Sequence, residues 1–283
     1  MPGGPALQRP MLETCPRFLG AASGQLFCME YPPPVASATG ASVLIVAPMG
    51  EEMNKCRRMM ALAARALQAA GLGVLYIDCY GTGDSAGDHR DATVTRWHDD
   101  LRHAADHLLD SGASVIHVLA IRSGALLLDA NLIGDGARGR LALWQPVLTG
   151  KQVITQWTRL ATAGDVVAGA DRGGEQRVRQ LLGTQGYCEI AGYDVSRELV
   201  TGLETLELRQ ALQRPWRHVS WFEVVDDGAA GLSPAATRAI ANTGARSGSI
   251  SSHAVVGEPF WATPEIATCA ALVAATRDYL AQP

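Results

Sequence analysis

Lysine is almost missing from this chain. Of its 24 basic residues, all but Lys55 and Lys151 are arginine, a skew that reflects genomic base composition more than function. A basic field is missing too. The formal net charge is -4, which excludes recruitment of nucleic acid by bulk charge. Paired cysteines are absent: Cys15, Cys28, Cys56, Cys79, Cys188 and Cys269 contain no CxxC. They read as reduced thiols of a cytosolic protein, not as a disulfide framework or a zinc site. No run of about 18 apolar residues occurs, so no membrane-spanning helix is expected. The opening MPGGPALQRP has no apolar stretch behind a charged start, so no signal peptide is expected and the expected location is the cytoplasm. What the chain does have is 47% hydrophobic against 18% charged residues, which excludes a disordered chain. Its 283 residues suffice for one large domain with a sizeable core.

Residues 1–16 read as a mobile leader, and 17–34 as a hairpin turning through Ala22-Ser23-Gly24. From Ser42 the pattern changes to short apolar runs separated by helical stretches. Strands are expected at 42–47, 74–78, 115–120, 141–145, 218–225 and 250–256. Helices are expected at 54–70, 95–109, 124–132, 233–243 and 264–280. Continuous apolar strands alternating with helices predict a mainly parallel central sheet flanked by helices, an α/β fold. Residues 151–215 break the rhythm. They read as helices and loops without a strong strand, a lid-like insertion between core segments 17–150 and 216–283.

Ligand sites of open α/β sheets lie at the carboxyl ends of the strands. Four such ends carry chemistry here. Pro48-Met49-Gly50-Glu51-Glu52 follows the first buried strand; in hydrolases of this layout that loop lends a backbone N–H to an oxyanion hole. Asp78-Cys79-Tyr80-Gly81-Thr82-Gly83-Asp84-Ser85 resembles a recurrent loop of the α/β-hydrolase fold, where the Asp and Ser shape the turn. The third end, Ala120-Ile121-Arg122-Ser123-Gly124, suits a nucleophile elbow, which needs small residues two positions before and after its centre. Centring on Ser123 places the bulky Ile121 in a flank. Centring on Arg122 gives Ala120 and Gly124, so a guanidinium, which cannot attack a carbonyl, takes the nucleophile's place. The fourth end, Val256-Gly257-Glu258-Pro259-Phe260-Trp261, lacks the expected histidine; Glu258 stands nearest, and His253 lies too early. Asp226 and Asp227 follow the preceding strand, where an acid belongs or where a solvated turn would serve. An ordinary Ser-His-Asp triad is therefore not expected. His103 and His107 have metal-capable spacing but sit on a helix expected outside the sheet, so neither a metal nor a cofactor is expected.

The strings APMGEEMNKCRRM, DCYGTGDSAGD, AIRSGALL, LWQPVLTGKQ and GEPFWATPEI together resemble the exosortase A system-associated hydrolase 2 family, over about 17–280. That resemblance implies an α/β-hydrolase fold, an Arg at the elbow, and a setting of exopolysaccharide synthesis and sorting of proteins with a PEP-CTERM signal. It implies a link to that machinery and does not by itself establish a reaction. The chain departs in carrying Ala120 where glycine is expected.

Three readings stay open. In the first, Glu51 or Glu258 acts as general base and Arg122 stabilises an oxyanion, cleaving an ester or thioester. In the second, a retired hydrolase grips a small acyl or anionic ligand, or a protein partner, with the elbow at a helix N-terminus. Met49, Gly50, Ser123 and Phe260 then contact the ligand. In the third, Arg122 forms a structural ion pair with Glu51 or Glu258.

Overall fold

The computed structural model describes residues 13–34, 40–167, 174–213, 216–227, 231–242 and 250–282. The leader expected at 1–16 lies mostly outside these residues, but its end does not: β1 (Cys15–Ala21) already begins at Cys15. β1 and β2 (Gly24–Tyr31) form the hairpin, antiparallel and in register from Cys15↔Glu30 to Ala21↔Gly24. β3 (Ala41–Val46) and β4 (Gly73–Ile77) are buried along nearly their whole length, as strands covered on both faces must be. β5 (Val115–Ile121), β6 (Arg138–Trp144), β9 (Val219–Val225) and β10 (Ile250–Val256) complete an eight-stranded sheet ordered β1-β2-β4-β3-β5-β6-β9-β10. In sheet order β4, β3, β5, β6, β9 and β10 pair in parallel, while β1–β2 and β2–β4 are antiparallel.

Side-chain alternation divides the core between the two faces. Trp221 joins the cluster on one face with Trp97, Trp157 and Leu203. Its neighbour Phe222 joins the other, with Trp144, Phe260, and Met59 and Met60 of α1 (Glu51–Ala69). α2 (Val94–Asp110) covers the first face; α1 and α8 (Ala270–Leu280) cover the second.

Four elements differ from the expectation. α1 starts at Glu51 instead of 54, because Gly50 at φ 62 turns the chain directly into the helix. Glu51 and Glu52 thus occupy its first turn, where the helix dipole favours carboxylates. The helix expected at 124–132 is a short 3₁₀ segment, Arg122–Leu127. Gly124 lies so close to β3 that a Cβ would sit 2.3 Å from the Ala47 carbonyl oxygen, and the tight segment turns away after Leu127. The elbow therefore has no α-helix N-terminus behind it. The closing helix begins at Ala270, not at 264. Between β6 and β9 lie α3 (Gly150–Val167), α4 (Gly174–Thr184), α5 (Arg197–Glu204) and α6 (Leu208–Ala211), plus an unexpected hairpin of β7 (Tyr187–Ile190) and β8 (Tyr193–Ser196). Its two-residue turn, Ala191-Gly192, has φ 50 and 84, as a primed hairpin turn requires.

Candidate functional site

The site is built where β3, β5, β6 and β9 end. Two non-glycine residues there hold positive φ: Arg122 at 52°, just after β5, and Gln145 at 41°, just after β6. Each left-handed residue costs about 1–2 kcal/mol, so their neighbours must hold them. Gln145 N–H donates to the Phe222 carbonyl (2.8 Å), and its side-chain oxygen accepts from Val224 N–H (2.8 Å). Arg122 Nη1 donates to the Gln145 carbonyl (2.9 Å), and the Arg122 carbonyl accepts from Val147 N–H (3.2 Å). The two strained ends brace one another. Arg122, between small Ala120 and Gly124, is the residue on the turn.

The rest of the guanidinium faces Glu52. Nη2 donates to Oε1 at 2.9 Å, and Nε lies 3.3 Å from both oxygens. Gln156 of α3 donates to the same Oε1 at 2.8 Å, tying the helix after β6 to the pair. Trp261 lies under the guanidinium, 4.8 Å from its carbon to the ring centroid. The pair is largely covered, with 14% and 10% of the side chains exposed. Burial and the adjacent Glu52 carboxylate push the Cys56 thiol up, leaving it an inert thiol.

Ser123 is next along the turn and 3% exposed. Its Oγ accepts the Met49 N–H at 2.9 Å. Met49 belongs to the loop after β3, from which an oxyanion-hole donor was expected. Among the described residues no imidazole hydrogen-bonds Ser123. His253 instead stacks on Phe222 (4.8 Å) within β10 and contacts Ser251.

The other expected residues divide as follows. Met49 is buried, and Gly50 packs so near Trp157 that a Cβ would lie 3.1 Å from the indole nitrogen. Glu51 is half-buried and lines a narrow gap with His89 and Tyr193, and it makes no ion pair with Arg122. Glu258 is exposed, so the carboxylate beside Arg122 is neither Glu51 nor Glu258 but Glu52. The loop after β10 reaches Arg122 through Trp261. Phe260 is core, packed edge-on against Trp144 at 5.9 Å. Asp226 and Asp227 are exposed past the end of β9. The buried acid of that strand is Glu223, which accepts from Ser233 N–H (2.6 Å) and Oγ (2.9 Å).

Glu52, Gln156 and Trp261 are the residues that sequence reasoning missed. Glu52 had a signal: it lies in phase with Cys56, Met59, Met60 and Ala63, the buried stripe of α1. Gln156 and Trp261 had none. Among the described residues no group of three His, Cys, Asp or Glu converges to hold a metal ion, and no helix is long and apolar enough to cross a membrane.

No family model matches this chain, and no curated protein does. Solved structures do. Est1E from Butyrivibrio proteoclasticus, with ferulic acid bound, aligns at TM-score 0.62 and 15% identity, covering 93% of this chain and 97% of its own. The α/β hydrolase GrgF from Penicillium sp. sh18 aligns at 0.59 and 14%, covering 95% and 98%. XC6422 from Xanthomonas campestris, an α/β serine hydrolase without a lid, aligns at 0.54 and 15%, covering 96% and 93%. The chain has the α/β-hydrolase fold.

Proposed function

We propose that this chain is a binding protein built on the α/β-hydrolase fold, retired from serine catalysis, that holds a small acyl or anionic ligand beside Arg122. The observation that carries this reading is the fate of the elbow. Serine attack needs an exposed hydroxyl, an imidazole within about 2.6–3.2 Å and vacant oxyanion donors. Here Ser123 is buried and its oxygen occupies the Met49 N–H, while Arg122 stands at the centre of the turn, engaged by Glu52. The segment 151–215 acts as the lid over cores 17–150 and 216–283, linked to the site through Gln156. The motif strings support placing the protein with exopolysaccharide and PEP-CTERM sorting machinery, on the cytoplasmic side. The competing reading is hydrolysis of an ester or thioester at a non-standard site, with a carboxylate near Arg122 as base; the Arg122–Glu52 contact supports it.

One experiment separates the two. Purified protein is treated with a fluorophosphonate probe and assayed on an acyl-ester and thioester panel, with Ser123→Ala and Arg122→Ala as controls. The binding reading expects no labelling and no turnover above the controls. Stoichiometric labelling of Ser123, or turnover lost in either variant, overturns it.

A further inference from the structure

A cleft of about 600 Å³ opens beside Arg122, between α3 and the start of α7 (Pro234–Asn242). Trp221 of β9 lines it. This indole is 1% exposed, and among the described residues its Nε1–H has no acceptor. Three other buried indoles do: Trp97 donates to the Tyr80 carbonyl (3.0 Å), Trp144 to Thr276 Oγ1 (2.7 Å) and Trp216 to the Ala211 carbonyl (3.1 Å). A buried N–H without a partner carries a desolvation penalty that an incoming acceptor would remove. Neighbouring polar groups are engaged elsewhere. Glu223 holds Ser233, and the Gln145 side-chain oxygen holds Val224 N–H.

The rest of the lining has a second character. Lys151 and Arg159 of α3 are exposed and donate no hydrogen bond among the described residues. Pro146, Val147, Ala235 and Ala236 line the same cleft and are apolar. The cleft thus combines a buried neutral donor, apolar walls and exposed cations, while the carboxylate in its lining, Glu223, is already bonded.

Resting on the binding reading above, we infer that this cleft takes a small organic acid with a second oxygen: an oxo-, hydroxy- or ester-substituted carboxylate. The second oxygen accepts from Trp221 Nε1–H. The apolar chain lies along the walls, and Lys151 and Arg159 meet the carboxylate. A simple inorganic anion satisfies the cations but has no reason to reach the indole.

The test follows the Trp221 indole N–H by NMR, its resonance assigned with Trp221→Phe, during titration of the full-length protein. Levulinate is the probe; valerate lacks the inner carbonyl, methyl levulinate lacks the charge, and inorganic phosphate lacks both chain and inner oxygen. Levulinate is expected to move the Trp221 resonance. Valerate and methyl levulinate are expected to bind about tenfold more weakly, the scale of one lost hydrogen bond or charge contact. Phosphate is expected to leave the resonance in place. Lys151→Gln and Arg159→Gln, both surface changes, should each weaken levulinate severalfold, which keeps the test valid if Trp221→Phe unfolds. An unmoved resonance, equal binding of methyl levulinate, or full binding by both surface variants overturns the inference. Turnover in the ester panel would overturn the binding reading while leaving a levulinate shift intact, so the two failures are distinguishable.

Discussion

At the residue scale, Arg122 and Glu52 set the character of the site. Removing one member of a covered ion pair leaves an uncompensated charge, which costs more than the pair contributes. Glu52→Gln should therefore lower stability by roughly 2–4 kcal/mol in urea melts, at or below the range for fully buried pairs. Arg122→Met with Glu52→Leu should recover much of that loss, because the double change leaves no orphan. Glu51→Gln and Glu258→Gln should stay within about 0.5 kcal/mol of the parent, as changes away from such features do. Melts in which Glu51 or Glu258 matters as much as Glu52 would refute the pairing. Glu52 was recoverable from the buried stripe of α1, but only once that helix was started at the right residue. The expected start at 54 left both glutamates in a loop, where phase carries no meaning. The trigger was Gly50, whose positive φ delivers the chain straight into the helix.

At the scale of elements, two turns carry stored conformational demands. The elbow needs Gly124, since a Cβ there would meet the Ala47 and Val46 carbonyl oxygens at 2.3 and 2.7 Å. Backbone cannot yield as a flexible side chain does. Gly124→Ala should cost at least about 2 kcal/mol, read as a drop in the urea midpoint. The β7–β8 hairpin has the opposite opportunity. Ala191 sits at φ 50 beside Gly192 at φ 84, and asparagine tolerates that region far better than alanine. Ala191→Asn should raise stability by up to about 1 kcal/mol; a lower melting temperature would show that the turn is not the limiting feature. Sequence reasoning passed over this hairpin because Ala-Gly is a weak turn signal and each strand has only four residues. It also expected an α-helix after β5. Leu126, Leu127 and Leu128 look helical in isolation, but the approach of Gly124 to β3 forces a tighter 3₁₀ path.

For the whole molecule, histidine burial contributes to the response to acid. His117 is 6% exposed, and burial, helped by Arg140 and Arg217, brings its pKa down to about 4. Burial also lowers His89 and His98. The unfolded chain binds these protons near the ordinary pKa of about 6.5, before the folded chain does. Stability is therefore full above that pH and falls as pH drops from about 6.5 toward 4, below which the His117 contribution no longer changes. His117 alone accounts for up to roughly 3 kcal/mol of that slope. His117→Gln should flatten the acid limb of a stability–pH curve, and an unchanged limb would remove His117 as its cause.

Alone, the sequence determined the class of fold: apolar runs short enough for strands, alternating with helical stretches, leave few arrangements other than a covered parallel sheet. It determined the elbow as well, because steric demand at a strained turn is local and small flanks mark its centre. That reasoning put Arg122 at the centre of the turn after β5, where it holds a positive φ. What Arg122 touches was decided only in three dimensions. Glu52, Gln156 and Trp261 come from α1, α3 and the loop after β10, and no spacing along the chain relates them. The same holds for the unpartnered indole of Trp221. A tryptophan in an apolar strand reads as core, and whether its N–H finds an acceptor depends on how neighbouring helices and loops close over it.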